Sequence, residues 1–290
     1  MKITSANPKA RGKTNRKTAA SCAVAILIIF HGILPLHAAS LVENKVNLFY
    51  FDLSVLFLQT RVQVMKKGMD NPMSEEELAE TLQGLQSIAA GAMDISQQLQ
   101  RLPAGSIPGF QKTDYQSRMN AIIVSVFSAH RQALDDSSAP SVRVQAVESL
   151  ASLSDQLSPR VASYAQALKS RDLAVRVQAL RHLGEISSIF IVLDPLTKVL
   201  SGKDEKDAPL RVKTLEAFTN IGEILSLIHS AYSLSLQDPE VIPRIMAQWG
   251  VKKMDPFLTA SLPALNLASK SKNAAIQGEA AVILNTIREF

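Results

Sequence analysis

The sequence is poor in cysteine and in aromatic residues. Of 290 residues, one is Cys, one is Trp and 5% are aromatic. The cysteine, Cys22, lies within the N-terminal segment 1–40. Beyond that segment the chain has no thiol for an internal disulfide, a thiolate metal site or a cysteine nucleophile. A chain of this length builds a core large enough to stand without disulfides, and it allows one or two domains. Few aromatics beside abundant Ala, Leu, Val and Ser favour packed helices over a β-sandwich.

An excess of charge is missing too, once the N-terminus is set aside. The chain carries 31 Lys+Arg against 26 Asp+Glu, a formal net charge of +5. Residues 1–40 hold six bases and no acid, which leaves 25 bases against 26 acids, a net charge of −1. A nucleic-acid interface needs a basic surface on the folded part, so no nucleic-acid partner is expected. A hydrophobic content of 47% with 20% charged residues describes a globular chain, not a disordered one.

Motifs of catalysis and ligand binding are also lacking. There is no Gly-rich phosphate loop, no G-x-S-x-G elbow and no Ser-x-x-Lys motif in a strand–turn–helix setting. His130, His182 and His229 have no partner at a recognised metal-ligand spacing and read as helix-surface or interhelix histidines. The acidic run Glu75, Glu76 and Glu77 is explained by helix capping. The expectation is a chain with no catalytic residue, no metal and no cofactor.

What the sequence does contain begins with a leader. Residues 1–18 are basic and polar, residues 19–36 are apolar apart from Ser21 and His31, and Ala38, Ala39 and Ser40 are small. This is the layout of a secretory signal, which predicts export to a periplasmic or extracellular compartment. The apolar stretch is long for a signal, which keeps open an uncleaved signal-anchor, with organelle targeting as a third reading. Residues 46–58 are apolar apart from Asn47, Asp52 and Ser54, too short and polar to span a bilayer. They read as a helix buried against a neighbour, with an interfacial membrane helix as the alternative. Ser74 and Glu77 have capping-box spacing, and Leu78, Leu82, Leu85, Ile88, Ala92, Ile95 and Leu99 then follow at helical intervals. Residues 41–102 thus form a predicted helical hairpin, and the Pro- and Gly-containing residues 103–113 a linker.

Past residue 113 the chain repeats itself. Arg143, Val144, Ala146 and Val147 match Arg176, Val177, Ala179 and Leu180, and then Arg211, Val212, Thr214 and Leu215. Leu150, Leu183 and Phe218 coincide, as do Leu153, Ile186 and Ile221, which lines one helix stripe. Polar turns precede each motif, at 135–138, 170–172 and 201–207, and weaker copies carry turns at 237–239 and 269–273. Each turn is read as joining two short helices, with Gly184 and Ala151 admitting close helix approach. Pro195, Pro243, Pro256 and Pro263 predict early helix ends or kinks. In the last helix Ile276, Ala280, Ile283, Leu284 and Ile287 share one side, away from Gln277, Glu279, Asn285 and Arg288, as a capping helix requires.

This pattern resembles the second helix of HEAT or HEAT-like (armadillo-type) repeats. Asp172, Val175, Arg176, Ala179, Leu180, Leu183, Gly184 and Ile186 fit it best. The resemblance covers about residues 114–290 and is strongest over 139–225. It implies that the turn aspartates and helix arginines form a ladder. The expected fold is all-α: an α-solenoid of about five helix–turn–helix repeats over 114–290, preceded by the N-terminal hairpin.

Four residues are candidates for binding. Arg143, Arg176 and Arg211 have a structural reading, pairing with turn acids such as Asp136, Asp172 or Asp207, and a functional one, a line of guanidinium groups facing an acidic partner. Trp249 is read as a packed cap position in preference to an interface hot spot. The function these features point to is an exported, non-catalytic helical-repeat scaffold or adaptor that binds a protein. A membrane-associated envelope component held by its N-terminus is the second reading, and an enzyme or carrier with a pocket between hairpin and repeats the third.

Overall fold

The computed structural model describes residues 41–71, 73–101, 112–136, 139–202 and 208–288. The leader and nearly all of the 103–113 linker lie outside the described residues. The chain divides into two compact units, Met1–Asn47 and Leu48–Phe290, and the described core belongs to the second.

The helices are α1 (Leu41–Met69), α2 (Glu75–Arg101), α3 (Lys112–Asp136), α4 (Pro140–Ala167), α5 (Leu173–Ile186), a 3-10 segment (Ser187–Val192), α6 (Leu193–Ser201), α7 (Ala208–Ser235), α8 (Val241–Ala268) and α9 (Ala274–Arg288). No strand occurs among the described residues. The expected all-α helical-repeat architecture is what the chain adopts. None of the described helices is long and apolar enough to cross a membrane.

Helices α4, α5, α7, α8 and α9 begin at residues 140, 173, 208, 241 and 274. The near-constant period of the sequence is therefore real, but one period holds a single long helix and a turn. The second helix of each expected unit runs on into the first helix of the next. Thus α4, α7 and α8 each continue for 28 residues. The region past residue 111 makes three hairpins, α3/α4, α5–α6/α7 and α8/α9, and not five units of short helices. The reason is burial. Apolar residues recur without a gap from Val142 through Leu150 and Leu157 to Tyr164, so nothing in the middle of α4 favours a turn.

One helix is interrupted. Pro195 cannot donate to the carbonyl of Ile191, and its ring crowds that carbonyl, so the backbone before it tightens into the 3-10 segment. The other prolines leave their helices whole, contrary to expectation. Pro243 lies in the first turn of α8, where no backbone donor is needed. Pro256 and Pro263 sit inside α8, held by the burial of Met254, Ser261, Ala264, Leu265 and Ala268 around them. Helix α3 also starts within the expected linker, at Lys112.

The helices stack in two layers. Helices α2, α4, α7 and α9 form one, each packed on the next. Helices α3, α5–α6 and α8 form the other. In α1, Val55, Leu58 and Val62 are buried while Leu53, Leu56 and Val64 are exposed. The buried-helix reading of residues 46–58 holds for one face of the part whose side chains are described. The true neighbour relation spans two helices, and hydrogen bonds follow it. Gln145 Nε2 donates to the Ala79 carbonyl at 3.0 Å, and Asn220 Nδ2 to the Ala151 carbonyl at 3.0 Å, across 66 and 69 residues.

Local chemistry sets the helix starts. Ser74 and Glu77 form the expected capping box, with Ser74 N donating to Glu77 Oε2 at 3.0 Å and Glu77 N to Ser74 Oγ at 3.2 Å. One kind of turn recurs before α5, α8 and α9. In it Asp172 N donates to Ser170 Oγ, Glu240 N to Asp238 Oδ1, and Asn273 N to Ser271 Oγ. Asp172 and Asn273 also cap the helices that follow. The core positions aligned in the sequence are buried: Leu150, Leu183, Phe218, Leu153, Ile186 and Ile221. In α9, Ile276, Ala280, Ile283 and Leu284 face inward as a capping helix requires.

Candidate functional site

The arginines of the repeat occupy the fourth position of α4, α5 and α7. Because successive helices alternate between layers, Arg176 lies in one layer and Arg143 and Arg211 in the other. They do not form a line. Arg176 takes the structural role. Its Nε donates to Asp238 Oδ2 at 2.7 Å and its Nη2 to Asp238 Oδ1 at 3.0 Å. Its Nη1 reaches the carbonyls of Ser170 and Arg171. The pair side chains are 10% and 8% exposed, so this guanidinium is not on display. Asp238 belongs to the next turn in the same layer; Asp172 instead caps α5. Arg143 and Arg211 are half-buried, each with an enclosed Nε that makes no hydrogen bond among the described residues. The side chains of Asp136 and Asp207 lie outside the described residues.

Sequence reasoning missed Arg244. It sits at the fourth position of α8, where its Nη1 bonds the carbonyls of Asp238 and Pro239 as Arg176 bonds its own turn. The Pro243 beside it hid the Arg-Val signature; the signal was its position, two periods after Arg176.

Trp249 is the main correction. It is 77% exposed and does not pack as a cap. Among the described helices α8 is the last of its layer, and none of them covers this face. Val241, Ile242 and Ile245 on the same helix are exposed as well. Trp249 and Ile245 line a groove of about 810 Å³ between α5 and α8, with Leu180, Gly184 and Met246. Its floor includes the ring of Tyr232 from α7, whose phenol burial pushes up to about 12. A Cβ at Gly250 would overlap that ring, whereas one at Gly184 would meet only the Tyr232 hydroxyl at 3.8 Å. The close approach is therefore at Gly250, not at Gly184.

The charged side chains that line the groove are cations, of which Arg181 is paired with Glu185. Arg181, Lys252 and Lys253 line it, and no carboxylate does among the described lining residues. Two bridges between α5 and α8 bound its length. At one end stands the Arg176–Asp238 pair. At the other, Lys253 Nζ donates to the Gly184 carbonyl at 3.2 Å and to Ser188 Oγ at 3.0 Å.

Behind α5 lies a polar cluster that the sequence did not reveal. Arg160 Nη2 donates to Asn120 Oδ1 at 2.6 Å and Gln116 Oε1 at 3.0 Å. Gln116 also bonds Ser96 and Tyr164. Glu185 accepts from Asn120 at 2.7 Å, Ser117 at 2.8 Å and Arg181 at 3.3 Å, with His182 Nδ1 at 3.1 Å. Burial raises the Glu185 carboxyl, but the bonds from His182, Asn120 and Ser117 outweigh it and hold it at about 2. Such a carboxylate is a weak base, and the cluster ties α2, α3, α4 and α5 together. His182 belongs to it, which makes it the interhelix histidine expected. His130 is another, fully buried with Nδ1 2.9 Å from the Val126 carbonyl, and burial lowers it to about 4. No group of three metal-ligating side chains occurs among the described residues.

Neither a protein-family model nor a curated protein matches the chain. Among solved structures it is similar to one described as "Computational Design of Self-Assembling Cyclic Protein Homooligomers". The identity is 14% and the TM-score 0.43, over 84% of this chain and 94% of that one. A likeness at that level fixes neither a family nor a role.

Proposed function

We propose that this chain is an exported, non-catalytic helical-repeat scaffold that binds a partner protein through the α5–α8 face. The observation that supports it best is the exposed Trp249 beside Ile242 and Ile245. A contiguous apolar patch rimmed by polar and charged residues marks an interaction surface, and Trp is enriched among the residues that dominate binding energy. The HEAT-like resemblance points the same way, since stacked hairpins offer extended binding surfaces. Export rests on the basic and apolar pattern of residues 1–40.

Trp249 is the only tryptophan, so its emission reports on this face alone. The free protein is expected to emit as a solvent-exposed indole that iodide quenches. A partner copurified from the native source is expected to blue-shift that emission and protect it from iodide. A stoichiometric partner that leaves Trp249 fully quenchable would refute this surface. Mass spectrometry of the native N-terminus and carbonate extraction test the leader and membrane attachment.

A further inference from the structure

Resting on that reading, we infer that the α5–α8 groove receives a short amphipathic helix whose apolar face meets Trp249 and Ile245 and whose flank toward Lys252 is acidic. Three observations support this occupant. First, the groove lies between two neighbouring helices of one layer, and its floor of Leu180, Met246 and Tyr232 is recessed below Trp249. A groove between helices accepts a third helix at interaxial distances of about 8–10 Å. A bilayer surface is better met by a convex apolar face than by a recessed one.

Second, the cations are positioned as a rim. Arg181 and Lys252 are exposed on opposite helices, and Lys253 closes one end. Arg181 is paired with Glu185, so the uncompensated charge comes from Lys252 and Lys253 on α8, where an acidic flank finds complementary charge and a basic flank is repelled.

Third, the bridges at Arg176–Asp238 and Lys253–Gly184 limit the open length. Between residues 176 and 184 a helix advances about 12 Å, at roughly 1.5 Å per residue. That accommodates about two turns, the span over which anchors at i, i+3, i+4 and i+7 act in helix-in-groove recognition. The exposed residues of α8, Ile242, Ile245 and Trp249, present a matching spacing.

The test places a photo-crosslinking residue at position 248, beside Trp249 and exposed in the groove, in the full-length chain in its native cell and maps the crosslinked segment. The expected result is a crosslink to a helical segment with acidic residues beside its apolar face. Lys252→Glu is expected to cut the yield about tenfold while Lys252→Arg retains it, because a like charge on the rim slows association with an acidic flank. The thermal melting curve should not move for either variant, since Lys252 is exposed. A crosslink to a protein segment that is extended or lacks acids, or a yield indifferent to Lys252→Glu, overturns this inference and leaves the scaffold reading standing. Crosslinking to lipid or a small molecule alone, or to nothing, overturns both.

Discussion

Arg176 grips Asp238 with two parallel hydrogen bonds, so the fourth residue of α5 is locked to the turn that precedes α8, 62 residues further on. Asp238 is shared: its Oδ1 also receives the Glu240 backbone N–H, and its carbonyl receives Arg244. One carboxylate thus holds its own turn and fastens it to the previous helix of the same layer. Asp238→Asn is expected to keep the turn, because an amide oxygen still accepts from Glu240, and to weaken the link between α5 and α8. Urea unfolding should show a lower midpoint with an unchanged slope. The Arg176 hydrogen bond, opposed by burial, holds the Asp238 carboxyl below its ordinary value. A lowered folded-state value gives stability that is present above the unfolded value, about 3.9, and lost as pH falls. The gap between wild type and variant should therefore close in acid.

Glu185 makes the same argument inside the polar cluster, with a wider window. Its carboxyl sits at about 2 against an ordinary 4.5. Its stabilisation should be complete above about pH 4.5 and vanish toward pH 2. Glu185→Gln is expected to destabilise the protein at pH 7. If the difference from wild type persists undiminished at pH 2, the ionised carboxylate is not what ties the helices.

Gly250 and Tyr232 predict an asymmetry between two glycines. Gly250→Ala places a methyl group against the Tyr232 ring. Overpacking of this kind costs about 1–3 kcal/mol, more than the roughly 1 kcal/mol that Ala gains over Gly in a helix. Gly184→Ala meets no such obstacle and should be neutral or stabilising. Adding Tyr232→Leu should rescue Gly250→Ala, and a double-mutant cycle without coupling would exclude the contact as the cause.

Leu183 tests the aligned core. It is fully buried in α5, at the position equivalent to Leu150 and Phe218. Leu183→Ala should cost about 2–5 kcal/mol through the lost burial and the cavity left behind. Denaturant unfolding that gives less than about 0.5 kcal/mol would match a surface site, not this one.

The sequence by itself determined what depends on near neighbours along the chain. Apolar spacing fixed which sides of the helices face inward, as Leu150, Leu183 and Phe218 illustrate. Short polar side chains fixed helix starts, as at Ser74 and Asp172, because a cap acts on the backbone immediately after it. The tertiary structure decided what depends on surfaces that meet across a turn or across a whole hairpin. Period alone could not say whether each repeat holds one helix or two, because continuous burial, not propensity, carries α4 and α7 through their middles. Nor could it assign Arg176 to Asp238, place a tyrosine against Gly250, or leave Trp249 uncovered. A helix stripe states that it needs a neighbour; only the packed chain settles which neighbour arrives, and α8, last in its layer among the described helices, has one of them on only one side.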